Sequence, residues 1–209
     1  MTPQEMIINI KWLGHDSFRI EGSKTIYIDP YQIGSGAPAD LVLVTHEHFD
    51  HCSPDDVSKV QVPGTKVITE KDSATKLSGD VQILTPGEHI TVEGVTIEAL
   101  PAYNVDKSFH PKEKGWLGFI VEMDGVRIYH AGDTDYIPEM SGLKTDIALL
   151  PISGTYVMTA AEAVEAALAI QPQIAIPMHY GAIVGDTSDA ETFKSALEGK
   201  IEVVVLEQT

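Results

Sequence analysis

Residues 44–56 read VTHEHFDHCSPDD, placing three of the chain's eight histidines and four acidic residues within thirteen positions. His46 and His48 are two apart, so in an extended segment their rings project to the same side. Asp50 and His51 follow a turn and can point back into the same cavity from another direction. Imidazoles beside a carboxylate are ligands for borderline divalent cations. The HxHxDH spacing divides these donors between two ions, and further donors stand elsewhere: Asp133 in AGDTD and His179 in PMHYG each follow an apolar run. A carboxylate can bridge ions about 3.5–4 Å apart, and the pKa of a water between them falls toward about 7. The implied chemistry is hydrolysis by hydroxide, with no serine or cysteine nucleophile.

Positioning such donors requires buried strands that end in polar loops. Short apolar runs bounded by Gly, Pro and Asp supply them: IINIKWLG, FRIEG, KTIYIDP, DLVLVTH, KVITE, VQILTP, HITVEGVTIEALP, LGFIVEMDG, VRIYHAGD, DIALLPIS and IAIPMHYG. Asp124-Gly125 and Glu93-Gly94 are hairpin turns. Helices are expected over SPDDVSKV, EKDSATKLS, TAAEAVEAALAI and DAETFKSALEG. Ser53 caps the first, with Pro54 behind it, and Thr159 with Glu162 forms a capping box on the third. IYIDP followed by LVLVTH is echoed by IYHAGD followed by IALLPI. Two similar β-rich halves covered by helices predict an α/β chain, a four-layer αββα sandwich whose loops converge at one end.

The totals agree with one domain over 1–209 that buries a substantial core, at 43% apolar and 22% charged residues. No apolar run approaches the roughly 18 residues of a membrane span, and no basic-then-apolar leader opens the chain. The single cysteine, Cys52, excludes an internal disulfide and fits a reducing compartment, so a cytoplasmic protein is expected. A net charge of −17 disfavours nucleic acid, which is bound through clustered Lys and Arg. A small-molecule substrate is expected, without nucleic acid or membrane as partner; a homo-oligomer is compatible with the sequence.

HEHFDH, with GDTD and PMHYG following in that order, resembles the metallo-β-lactamase superfamily. WLGHDSFRI and IYIDPY further resemble its branch of small cytoplasmic metal-dependent hydrolases related to ascorbate-6-phosphate lactonase. The resemblance runs from Trp12 to Gly181 and implies two divalent ions per chain, zinc first, with manganese, nickel or iron also suited. It makes His46 and His48 ligands of one ion and Asp50, His51 and His179 ligands of the other. Asp133 would bridge and Asp29 would support. The family has a third histidine on the first ion, and here Asn104 stands at that position. His110, six residues on in a longer loop, is the expected replacement, with Asn104 itself or water as the alternative.

The implied activity is hydrolysis of a lactone, ester or phosphodiester in a small anionic metabolite. Asp50 is the candidate proton acceptor and His15 a candidate proton donor, although a backbone-bonding role for His15 is equally open. His89, His130 and Cys52 read as structural. Trp116, Tyr156 and Tyr180 are core or pocket-lining aromatics, and Lys107, Lys112 and Lys114 are either solvated or a lure for substrate anions. Competing readings are a nuclease of the same superfamily and a non-catalytic metal-binding or redox protein.

Overall fold

A computed structural model describes residues 1–209 in full. Its first sheet has six strands in sequence order: β1 (Ile10–Gly14), β2 (Ser17–Glu21), β3 (Thr25–Ile28), β4 (Leu41–Val44), β5 (Lys66–Thr69) and β6 (Asp80–Ile83). The second has seven: β7 (His89–Val92), β8 (Val95–Pro101), β9 (Leu117–Met123), β10 (Val126–His130), β11 (Ile147–Pro151), β12 (Ile174–Met178) and β13 (Glu202–Val203). Each sheet opens with an antiparallel meander and finishes parallel, from β3 onward in the first and from β10 onward in the second. The echo between IYIDP–LVLVTH and IYHAGD–IALLPI is therefore a repeat of architecture: β3 pairs with β4 as β10 pairs with β11.

Side-chain alternation builds the layers. Ile26 and Ile28 of β3 and Leu41 and Leu43 of β4 belong to the core shared with the second sheet. Tyr27, Val42 and Val44, one residue out of phase, pack outward against Val57 and Val60 of α2 (Pro54–Val60). On the opposite side, α4 (Ala160–Ile170) buries Ala163, Ala166, Ala167 and Ile170, and α5 (Thr187–Leu197) buries Ala190, Phe193 and Leu197. This spacing makes one apolar helical stripe on each. The result is the four-layer αββα sandwich.

Local signals act as expected at the turns and caps. Asp124-Gly125 and Glu93-Gly94 join paired strands through two residues of positive φ, the geometry that suits right-twisted hairpins. Ser53 accepts from the Asp56 amide, and Thr159 and Glu162 complete their capping box. Three expectations need correction. The start of IINIKWLG is not strand, because Thr2 and Glu5 form a capping box that carries α1 (Pro3–Ile7) into that run. EKDSATKLS supports only one helical turn, α3 (Lys71–Ala74). Helix α5 begins two residues before DAETF, at Thr187, because Asp186 caps it.

Gly132, in the loop after β10, has φ +64°, and a Cβ there would lie 2.6 Å from the Leu117 carbonyl oxygen. Gly125 has φ +80° but open space around it. Gly132→Ala is therefore expected to destabilise the protein by about 2–4 kcal/mol, against about 1 kcal/mol for Gly125→Ala. Thermal melts of the two variants side by side check this; equal losses would contradict the packing constraint.

Candidate metal centre

The donors come from the ends of strands and from the loops that follow. Three of them sit immediately after a strand in left-handed backbone: His15 after β1 (φ 52°), Asp29 after β3 (φ 45°) and His179 after β12 (φ 60°). Non-glycine residues adopt this conformation at a cost of roughly 1–3 kcal/mol each, and such strain gathers at functional sites. It turns the three side chains inward across the end of the sandwich.

His46, His48 and His110 bring one nitrogen each to within 4.8 Å of one another, so the structure gathers them into a cluster. His110 reaches in as expected, and Asn104 is committed elsewhere. The Asn104 amide nitrogen donates to Asp135 Oδ1 (3.1 Å) and to the Tyr156 carbonyl (2.9 Å), while its Oδ1 accepts from the His110 backbone amide (2.9 Å). Asp135, the second aspartate of AGDTD, also accepts from the Val105 amide at 2.8 Å. One motif thus holds both Asp133 and the loop that delivers His110.

A common pattern orients the rings. His46 Nδ1–H donates to Thr45 Oγ1 (3.0 Å), His51 Nδ1–H to Asp29 Oδ2 (2.8 Å), His110 Nδ1–H to Asn104 Oδ1 (3.1 Å) and His179 Nδ1–H to Ser153 Oγ (2.8 Å). Asp29 additionally accepts from the Thr45 amide and hydroxyl, at 2.7 and 2.6 Å. Each arrangement leaves Nε2 aimed inward, as metal-binding histidines require. All four then face Asp133: Oδ2 lies 3.0 Å from His110, 3.3 Å from His179 and 4.0 Å from His46, and Oδ1 lies 3.4 Å from His51.

This donor set fits cations. His46 Nε2 and His48 Nδ1 face each other at 2.9 Å, and burial pushes both imidazoles below their usual pKa, favouring the neutral form that a metal ion needs. His51 Nε2, His110 Nε2 and Asp133 Oδ1 are buried with no hydrogen-bond partner. Burial pushes the Asp133 carboxyl up, but His179 and His51 outweigh it and hold it well below the carboxylate range. Burial likewise disfavours charge on His179, yet Asp133 and Asp16 raise it to about 9, and His51 is held well above its usual value against burial, chiefly by Asp133 and Asp29.

Asp50 and His15 meet at the edge of this array, Nε2 of His15 donating to Asp50 Oδ2 at 3.2 Å. Burial pushes the Asp50 carboxyl up, but the His15 hydrogen bond prevails and lowers it; burial lowers His15. The His15 carbonyl also accepts from Trp12 Nε1 (2.8 Å) and the His179 amide (3.2 Å), so both roles considered for His15 have a structural counterpart. His130 is buried behind the site, bonding the Asp16 carbonyl through Nε2 at 2.9 Å. His89 is exposed on β7, and Cys52 packs in the outer core beside α2. Trp116 lies against His46 and His48, with ring centroids 4.7 Å away in each case. Tyr180 stacks on Trp12.

Three contributors escaped the sequence reading: Asp16, Ser153 and Asp135. Asp16 is fully buried next to His51, and burial pushes its carboxyl well above the usual range. Its only sequence signal is adjacency to His15.

Beside the cluster opens a cavity of about 230 Å³ lined by His48, Phe49, Asp50, Phe109, His110, Asp133, Tyr156 and Ile183. Phe49, Phe109 and Ile183 are 67%, 47% and 42% exposed. The three lysines of the sequence reading are tied to acids: Lys107 to Asp135 (2.6 Å), Lys112 to Glu139 (2.9 Å), and Lys114 to Glu47 (2.8 Å) and Asp72 (3.3 Å). None lines the cavity.

Because His51 and His179 must lose protons to act as ligands, metal loading at pH 7 is expected to release protons. A group with a raised pKa stays protonated until pH passes that value, so apparent affinity should climb from pH 7 through about 9, where His179 becomes neutral, with His51, also held above its usual value, adding to the rise. Calorimetry of metal binding in buffers of differing ionisation heat measures the release; affinity independent of pH over this interval would contradict the charge arrangement.

Comparison with known proteins agrees with this architecture. A family model described as a beta-lactamase superfamily domain matches residues 9–179. A UPF0173 metal-dependent hydrolase of Thermococcus onnurineus is 36% identical, the alignment covering 96% of each chain. A crystal structure described as a metal-dependent hydrolase from Parabacteroides distasonis superposes with a TM-score of 0.87 at 36% identity, over 96% of this chain and 93% of that one. Igni18, a metallo hydrolase of Ignicoccus hospitalis, superposes with a TM-score of 0.76 at 27% identity, over 95% and 94%. The chain belongs to the metallo-β-lactamase superfamily, among the UPF0173 metal-dependent hydrolases.

Proposed function

We propose that this metal-dependent hydrolase works with two divalent ions and cleaves an ester or lactone in a small, largely uncharged substrate. The observation that carries the reading is the convergence of inward imidazole nitrogens on Asp133. His46, His48 and His110 would hold one ion, His51, His179 and Asp50 the other, with Asp133 between them. Three imidazoles suit zinc, while the carboxylate-containing set also suits manganese, nickel or iron. Bound there, the ions would supply Lewis acidity and acidify a water to a pKa of about 7.

The chain's own residues do the rest. Asp50, on the cavity wall and ionised at neutral pH, accepts a proton at its carboxylate, and the His15 Nε2–H bond fixes its orientation. Trp116 is buried against the His46 and His48 rings and holds them in place, and Phe109 forms part of the cavity wall. The lining of the cavity bears on substrate charge. An anionic metabolite was expected partly on Lys107, Lys112 and Lys114, but all three are neutralised by carboxylates and the cavity wall holds no Lys or Arg. Phe49, Phe109 and Ile183 favour an apolar acyl or aryl group instead, and phosphodiesters become the weaker candidates.

Metal-loaded protein assayed on neutral aryl esters and lactones against an aryl phosphodiester should prefer the neutral substrates by at least about tenfold in kcat/KM, in line with the value of one apolar pocket contact. A preference for the phosphodiester would reverse the substrate assignment. Asp50→Asn should lower kcat/KM by about 10²–10⁴-fold. Phe109→Asp should instead raise KM for the neutral ester, roughly tenfold or more, while leaving kcat nearly unchanged.

A further inference from the structure

Asp16 is fully buried, and both of its carboxylate oxygens lack any hydrogen-bond donor. His51 stands beside it, with Nδ1 3.8 Å from Asp16 Oδ2, but that ring proton is already given to Asp29 at 2.8 Å. No lysine or arginine pairs with Asp16. Yet one of its oxygens lies within 4.8 Å of a donor atom on each of His51, Asp133 and His179, and those atoms lie within 4.8 Å of one another. A buried carboxylate without donors is costly unless a cation compensates it. His51, Asp133 and His179 are the residues proposed above around the second ion.

We propose that Asp16 is a further ligand of that second ion, giving it an oxygen-rich donor set that selects manganese while the three-imidazole cluster selects zinc. The inference rests on the dinuclear reading. It follows from donor chemistry: carboxylate oxygen suits manganese and imidazole suits zinc, and geometry and ligand type are the means by which proteins counter the general preference for zinc. The chain would then hold two different metals on the two sides of Asp133.

The test uses full-length protein stripped by chelator and reloaded with manganese or zinc alone, comparing wild type, Asp16→Ser, Asp16→Asn and His179→Ala. Ions retained per chain, the dissociation constant of each and the thermal midpoint with and without metal are recorded. The expected result is that both Asp16 variants bind second-site manganese at least about tenfold more weakly, lose zinc affinity less, and keep the first ion. Loading with metal should raise the thermal midpoint of both variants less than that of wild type. Failure of Asp16→Asn to restore manganese binding is part of the prediction, since an amide keeps the shape but not the charge. Manganese affinity within twofold of wild type in both variants overturns the ligand assignment, as does rescue by Asp16→Asn. If wild type binds one ion or none, it is the dinuclear reading that fails; if it binds two and His179→Ala still binds both, the second ion does not sit at His179 and the Asp16 assignment falls with it.

Discussion

One carboxylate organises this end of the molecule. Asp133 is buried, ringed by imidazole nitrogens, and reached from both sheets: His46 and His51 follow β4, His110 and Asp133 itself come from loops of the second sheet, and His179 follows β12. Such an anion is tolerable only among positive charges. Buried His51 and His179 are drawn toward the protonated form beside it, and the same nitrogens would serve as ligands in the two-ion reading proposed above. Folding and metal chemistry are thereby coupled through a single electrostatic demand.

The scaffold meets that demand by repeating one topology. Each sheet runs from antiparallel hairpins into parallel strands, and the parallel strands deliver their ends to the same edge of the sandwich. Left-handed backbone at His15, Asp29 and His179 then turns side chains inward that would otherwise continue along their strands. The local strain is held by the packed sheets on either side, and Gly132 provides the tight approach to the Leu117 carbonyl that sets Asp133 in place.

Much of this is legible in the sequence. The strands of IYIDP, LVLVTH, VRIYH and IALLP announce themselves by apolar runs, and their shared layout reveals the two halves. HEHFDH, GDTD and PMHYG mark the centre because each sets metal-binding residue types directly after an apolar run. His110 was less visible, since its loop carries no periodicity; what brings it inward is the side-chain network from Asp135 through Asn104. Asp16 was hidden altogether, because burial and the absence of a partner are properties of the folded state. The pairing of the lysines with Asp135, Glu139, Glu47 and Asp72 was equally out of reach, because it depends on residues distant in the chain. The cavity's apolar rim, drawn from Phe49, Phe109 and Ile183 on three separate loops, leaves no contiguous sequence signature either.

The central claim is that two cations sit astride Asp133. Anomalous diffraction from crystals of the metal-loaded protein tests it most directly. The account predicts two peaks, one among His46, His48 and His110 and one among His51, His179 and Asp50, each within about 2.5 Å of an Asp133 oxygen. A single peak, or metal bound away from Asp133, would contradict it.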